Sequence, residues 1–511
     1  MATTKPDSFV QAEHLGTVES VSVADAGVDR LKPNAVGLAG VIFVAVTGAA
    51  PISAMLFNVP FAVGFGTGKY TPAAFLFATV ILTIFSVGYV AMARKIRAAG
   101  GFYAFISHGL GRELGMAAGI CGALAYSLFE VSLLGGFAYF ANNNFHEWFG
   151  WNIPWPLFAF VAAAVISVLC YFDVELSVRV LGVALIGEIV ILTVFDLLVF
   201  GQGGKSGIEL GSLNVFKLTS PGPGLAAGVG LFLAFWSWVG FEATPNYAEE
   251  SRNPRRNVPL ATLISVIALG VGYTLTSLAF VSSFAPDKLI KAAQDPSGPF
   301  FVAMRDFGSH WLATIMEVLI LTGSFACAMA FHNAAMRYFY AMGREGILPR
   351  ALGRTHPTHR SPYIASFVQT GVAVAIVLAW GISAGFGKPV EVAYVRIYTM
   401  MAVQGVVWIL GIQAVCALSI IVYHRRHKHP DSAWVVFVCP VIAIVGQVFA
   451  IYLLFKNIST LAGTISYVDA IAPIAIIAVV GSLVYALALK RRNRAKYDLI
   501  GRMIDEGVAS P

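Results

Sequence analysis

About twelve stretches of this chain stay apolar for roughly 20 residues at a time, long enough to cross a bilayer as α-helix. They fall near residues 36–65, 71–93, 114–141, 155–172, 176–201, 224–248, 259–284, 311–340, 362–386, 393–423, 433–455 and 466–489. Short polar links separate them. In hydrocarbon every backbone amide must find its partner inside the protein, so such a chain is expected to be an all-α bundle of membrane helices. Only 12% of the residues are charged, against about 25% in soluble domains. The formal charge of +7 is then explained by basic residues flanking helices, and nucleic-acid binding is set aside. Cys121, Cys170, Cys327, Cys416 and Cys439 sit in or beside apolar runs without metal spacing, which reads as small buried hydrophobes. No metal or cofactor motif appears.

Basic residues set the orientation. With the N-terminus inside, Lys5, Arg30, Lys32, Arg94, Lys95, Arg97, Arg112, Arg179, Arg252, Arg255 and Arg256 fall on the inner side. So do Arg337, Arg344, Arg350, Arg354, Arg360, Arg425, Arg426, Lys428 and the tail from Lys490 to Arg502. That is about 25 of 34 basic residues, a strong positive-inside bias with both termini cytoplasmic. The start of the chain is polar and lacks the pattern of a cleavable signal peptide. The expected organisation is a cytoplasmic tail at 1–34 and a ten-helix core at 35–423, with halves 35–201 and 224–423. Two further helices at 424–489 and a cytoplasmic tail at 490–511 complete it.

The first and sixth spans are interrupted in the same way. In the first, VGLAGVIFVA runs into VTGAAPISAM, where Thr47, Gly48 and Pro51 break the apolar pattern and Pro51 lacks a donor. In the sixth, residues 224–238 make only about 22 Å of helix before a break near Val239–Glu242, against a hydrocarbon core of about 30 Å. Paired interruptions five spans apart point to an inverted repeat with a solute site between its halves. Helix ends there leave free N–H groups, suited to a carboxylate, and free carbonyls, suited to an ammonium group. Together they match the two ends of an α-amino acid. The candidate substrate contacts are Thr47, Gly48, Ala49, Ala50 and Ile52 in the first span. Phe235, Trp236, Trp238 and Gly240 are the candidates in the sixth.

Three stretches carry a family resemblance. FWSWVGFEATPNYAEESRNPRRNVPLAT resembles the sixth-helix signature of the amino acid–polyamine–organocation superfamily. FHNAAMRYFYAMGREGILP resembles its eighth helix and following loop. ARKIRAAGGFYAFISHGLGRELG resembles the loop after its second helix. The resemblance implies a LeuT-like fold of five plus five helices with two extra, moving amino acids or amines by proton symport, sodium symport or exchange. It places Trp236 at an aromatic gate and Glu242 at a proton-sensitive glutamate. Many relatives carry a lysine in the fifth helix where Glu188 falls here, a reversal of charge. The Gly48-Ala49-Ala50-Pro51 run departs from the common Gly-Ser-Gly.

Ionisable groups at membrane depth are functional candidates. Glu242 and Glu188 are assigned to proton coupling. Glu130 either lines the pocket and meets a cationic solute or is paired within the bundle. Asp196 and Glu317 are expected near the outer surface and solvated, His332 as a core histidine, and Arg337 as snorkelling or paired. Glu249, Glu250, Arg252, Arg255 and Arg256 make a solvated turn, an ion-pair gate, or both. The loop at Gly100-Gly101 is a candidate for a short helix. The expectation is an importer of an amino acid or amine working with protons in the cytoplasmic membrane. An exchanger and a non-transporting sensor are the rivals, and no nucleophile–base constellation argues for an enzyme.

Overall fold

A computed structural model describes residues 34, 36–96, 101–172, 174–248, 250–295, 298–384, 393–427, 430–462 and 467–501. Lys5, Arg30, Lys32, Arg97, Gly100, Glu249, Lys428 and Arg502 lie outside them, as does the side chain of Arg179. So do residues 1–33 and the end of the second tail from 502 on. Among the described residues ten helices are long and apolar enough to cross a membrane. In chain order the elements begin with α1 (Leu38–Gly66), α2 (Gly68–Ala93), a short α3 (Phe102–Leu110) and α4 (Arg112–Phe149). The apolar but shorter α5 (Trp155–Tyr171) follows, then α6 (Val174–Gly201), α7 (Ala227–Tyr247), α8 (Pro254–Ser282) and α9 (His310–Arg344). The last are α10 (Tyr363–Ser383), α11 (Arg396–Arg426), α12 (Trp434–Ile458), α13 (Tyr467–Arg492) and a terminal turn of helix, α14 (Arg494–Leu499).

Ten of the twelve expected spans fall on these long apolar helices, because length and apolarity settle both, while those at 155–172 and 176–201 fall on the shorter α5 and on α6. Burial then sorts the helices by position. α1, α4 and α7 are enclosed on most sides, whereas α13 shows Ile476 and Ile477 outward at 61% and 69% exposure. An apolar helix face costs nothing against lipid, so α13 needs no protein cover. α4 and α9 run against each other through the middle of the bundle, and α1 packs on α6, α8 and α9. The glycine loop does lead into a helix: Gly101, with φ of 44°, turns the chain into α3.

One end of the bundle is tied by the chain itself. Val36 donates its N–H to Glu250 O at 3.0 Å and accepts from Arg252 N–H at 2.8 Å. This single parallel bridge, Val36 to Ser251, joins the start of α1 to the chain leaving α7. Beside it Arg337 of α9 pairs with Glu250 at 2.6 Å and lies 4.1 Å over the Tyr247 ring. Arg337 is therefore paired and does not snorkel: its side chain is 1% exposed. At the same end Gly501, just past α14, donates to the Tyr103 hydroxyl and to Glu345 Oε1, each at 3.0 Å.

Candidate functional site

Both interruptions are present. α1 is regular from Leu38 to Ala49, then Ala50 takes left-handed angles, φ 42° and ψ 78°, and helix resumes at Pro51. Pro51 disfavours right-handed helical angles in the residue before it, which interrupts the helix at Ala50, although Ala50 goes left-handed rather than extended. α7 is regular from Ala227 to Trp236, turns through residues 237–240, and continues as a tight 3-10 stretch, Phe241–Tyr247. Gly240, with φ of 123°, makes the turn possible. The two breaks touch: a β-carbon built on Gly240 would stand 2.4 Å from the carbonyl carbon of Gly48.

A small cavity of about 20 Å³ lies against this contact, enough for one water molecule. Its wall takes Gly48, Ala49, Ala50, Ser53 and Asn58 from α1, and Trp236, Ser237 and Val239 from α7. Leu133 of α4, Cys327 and Phe331 of α9, and Tyr398 of α11 complete it with Ala54. Asn58 links three elements: its Nδ2 donates to Ser237 Oγ at 2.9 Å and its Oδ1 accepts from the Tyr398 hydroxyl at 3.1 Å. The Tyr398 ring packs 4.7 Å from Trp236 and 4.3 Å from Phe57. Trp236, Tyr398 and Asn58 thus border a space with room for about one water molecule.

Each break is capped by a buried glutamate. Glu188 Oε2, from α6, accepts the Ile52 N–H at 3.2 Å, and its Oε1 has no partner among the described residues. Glu242 Oε2 accepts the Gly240 N–H at 3.0 Å, while its Oε1 accepts from the Tyr126 hydroxyl at 2.9 Å. The carbonyl ends are also engaged. Ala49 O accepts from the Tyr273 hydroxyl at 2.8 Å, and Gly48 O accepts from Cys327 Sγ at 3.4 Å.

Of the residues expected from the sequence, Gly48, Ala49, Ala50 and Trp236 meet around the cavity, and Gly240 backs it through Gly48. Others stand apart from the wall. Phe235 lies one helical position, about 100°, before Trp236, and Trp238 lies in the turn after the helix ends, so neither shares the direction of Trp236. Phe235 packs edge-on to Phe77, and Trp238 lies between Phe75 and Tyr273. Thr47 is buried with an unpartnered hydroxyl, and Ile52 turns away from the chamber. Glu130 belongs to a separate network: His332 Nδ1 lies 3.0 Å from its Oε1, and Gln369 donates to its Oε2 at 2.6 Å. Glu130 is paired within the bundle, as one of the two readings had it, and His332 is a satisfied core histidine with Ser366 on its other nitrogen.

Asp196 and Glu317 correct an expectation. They are 9% and 3% exposed, with Thr276 donating to Asp196 at 2.8 Å and Arg305 pairing with Glu317 at 2.7 Å. The arginine comes from the short helix Pro299–Phe307, which hydropathy alone does not single out. The residues missed are Asn58, Ser237 and Tyr398. Asn58 had a signal, a lone amide in AMLFNVPFAV, and Ser237 sat unremarked inside FWSWVG. All five cysteines are buried free thiols, and the described residues hold no cluster of metal-ligating side chains.

Comparison with known proteins agrees with this architecture. Residues 36–486 match the family model described as amino acid permease. The branched-chain amino acid permease BcaP of Bacillus subtilis is 23% identical over 59% of this chain and 67% of its own length. The methylthioribose transporter of Bacillus subtilis is 26% identical over 51% of this chain and 50% of its own. Cationic amino acid transporter 4, vacuolar, of Arabidopsis thaliana is 24% identical over 66% of this chain and 57% of its own. The chain thus spans about half to two thirds of the length of these relatives. With a match running across nearly all of its helices, this multi-pass membrane protein belongs to the amino acid permease family of the amino acid–polyamine–organocation superfamily.

Proposed function

We propose that the protein is a secondary active transporter that imports an amino acid or related amine across the cytoplasmic membrane, coupled to protons. The observation that carries this is the meeting of two broken helices at Gly48 and Gly240, against a small polar chamber. Unwound backbone persists at membrane depth only where protein, water or ligand satisfies it. Relatives named as amino acid permeases and transporters support the same reading. Transport, rather than catalysis, is what such an arrangement serves. The proposed layout is twelve spans with both termini cytoplasmic, a core at 35–423 built as an inverted repeat, two further helices at 424–489, and tails at 1–34 and 490–511. Alternating access would come from one set of helices rocking against the other, parting Trp236 from Tyr398 on one side and Arg337 from Glu250 on the other.

Glu242 and Glu188 are assigned the proton. Both touch a break directly, so a proton gained or lost there changes the bonds that hold the broken segment. Glu242→Gln and Glu188→Gln are expected to fold, keeping an acceptor oxygen for the Gly240 or Ile52 N–H, and to lose uptake driven by an inward proton gradient in sealed vesicles. Wild-type uptake by both variants at every pH from 5 to 8, a range set by ordinary physiological titration, would remove the coupling assignment. Uptake that requires solute preloaded inside the vesicles would replace import with exchange.

A further inference from the structure

One buried acid has no place at the chamber. Glu130 has His332 beside it, Glu317 has Arg305, and Glu188 and Glu242 hold the two breaks. Asp196 of α6 has none of these. It is 9% exposed; its Oδ2 accepts from the Thr276 hydroxyl at 2.8 Å, and its Oδ1 has no partner among the described residues. A carboxylate at membrane depth without a cation is costly, which makes such a group a functional candidate. α6 packs against α1, α5, α8, α9 and the short helix Pro299–Phe307. The charged or titratable groups these bring toward the Gly201 end of α6 are Tyr273, Arg305, Asp306, His310 and Glu317. Arg305 pairs with Glu317 at 2.7 Å, Asp306 with Lys205 at 3.2 Å, and His310 is exposed, so none of them pairs with Asp196.

Position links this acid to Glu188. Glu188, Leu192 and Asp196 recur every four residues and share one side of α6. Asp196 lies about 8 Å along the helix from Gly201 and about 12 Å from Glu188. Across the seam, α8 sets Tyr273 and Thr276 three residues apart on one face. Both are buried, and Tyr273 donates to Ala49 O at 2.8 Å, beside the break that Glu188 holds. Buried hydroxyls thus line α8 from Asp196 to the α1 break, and a hydroxyl both donates and accepts. The Gly201 end lies by the start of α9, where Gln202 donates to Phe307 O at 2.5 Å, while Arg337 lies toward the other end of α9.

We infer that Asp196 is the entry point for the proton that reaches Glu188 from the outer side. The inference rests on the proton-coupled reading of Glu188. A proton from water at the Gly201 end binds the Asp196 carboxylate at Oδ1 and makes the neutral acid. That proton then passes through hydrogen-bonded water in the seam to the Glu188 carboxylate at Oε1, leaving Asp196 a carboxylate held by Thr276. Asparagine imitates the neutral acid but hands no proton onward. The test uses the full-length protein in proteoliposomes, with radiolabelled leucine, lysine and phenylalanine in turn. Asp196→Asn is expected to lose tenfold or more of the uptake driven by an inward proton gradient. Counterflow of preloaded solute, which needs no net proton movement, is expected to stay within twofold of wild type. Asp196→Glu should recover at least half of the driven uptake. Thr276→Val is the second variant, should Asp196→Asn not fold. Its pH of half-maximal driven uptake is expected to shift by about half a unit or more, the effect of one hydrogen bond to a carboxylate. A smaller loss, counterflow lost alongside, no recovery with glutamate, or an unmoved pH profile overturns the inference and leaves proton-coupled import standing. Wild-type uptake that ignores the gradient with all three solutes overturns both.

Discussion

Alanine in place of Gly240 is expected to abolish binding and transport and to reduce the yield of folded protein. The backbone there has φ of 123° and ψ of −32°, which L-residues with a β-carbon rarely adopt. Strain of that kind costs about 1–3 kcal/mol. The added carbon would also stand 2.4 Å from Gly48 C, 2.8 Å from Gly48 O and 2.8 Å from Ala49 N, all main-chain atoms. Main chain cannot rotate aside as a flexible side chain can, so overpacking adds about another 1–3 kcal/mol. Gly48→Ala should be milder, since its β-carbon would stand 3.2 Å from Gly240 Cα in a residue with ordinary helical angles. Gly371→Ala in α10 and Gly481→Ala in α13 are the controls: nothing lies within 4 Å of either new carbon. Alanine in a helix gains about 1 kcal/mol over glycine, so both controls should melt at or above the wild-type temperature. Monodispersity on gel filtration, thermal melting and ligand binding give the ranking. Should Gly240→Ala behave like Gly481→Ala, the contact between the breaks is not what holds the chamber.

The helices were legible in the sequence because hydropathy and length suffice for them. The run at 71–93 appears as α2, Gly68–Ala93, and the run at 433–455 as α12, Trp434–Ile458. The breaks were legible because Gly and Pro act locally. Even so, the turn in α1 belongs to Ala50, next to Pro51, while Gly48 serves the approach of α7. What a single sequence does not carry is direction. Phe235, Trp236 and Trp238 look alike as aromatic wall, yet Phe235 and Trp236 face different neighbours on the helix and Trp238 falls in the turn beyond it. Nor does it carry partners across long separations. Tyr398 reaches Asn58 from 340 residues away and Glu188 reaches Ile52 from 136, and both depend on how α6 and α11 pack. Glu130 illustrates the same limit: apolar surroundings marked it as functional, but only packing shows that His332 and Gln369 satisfy it.

Loss of the Arg337 guanidinium is expected to be the most damaging single change outside the chamber. Arg337 Nη2 lies 2.6 Å and Nε 3.2 Å from Glu250 Oε2, with both side chains under 5% exposed. Removing one member of a buried pair takes that partner from the other charge and costs about 3–5 kcal/mol. Arg337→Met keeps much of the volume but leaves the Glu250 carboxylate without its guanidinium. Replacing both, as Arg337→Met with Glu250→Leu, removes the buried carboxylate together with its guanidinium, so the double variant should recover about 2 kcal/mol or more of the single loss. Thermal melting of the two single variants and the double measures this coupling. In the proposed transport cycle the pair separates. The Glu250 carbonyl accepts the Val36 N–H, so the ion pair braces the joint between the start of α1 and the end of α7. The proposed opening of that end parts this joint. The double variant should therefore fold yet open more readily, seen as faster labelling of a cysteine introduced at Ser53 by a membrane-impermeant reagent applied from the side this joint faces. Equal labelling in wild type and double variant would confine Arg337 and Glu250 to stability, whereas faster labelling makes their separation a step in the access of solute to the chamber.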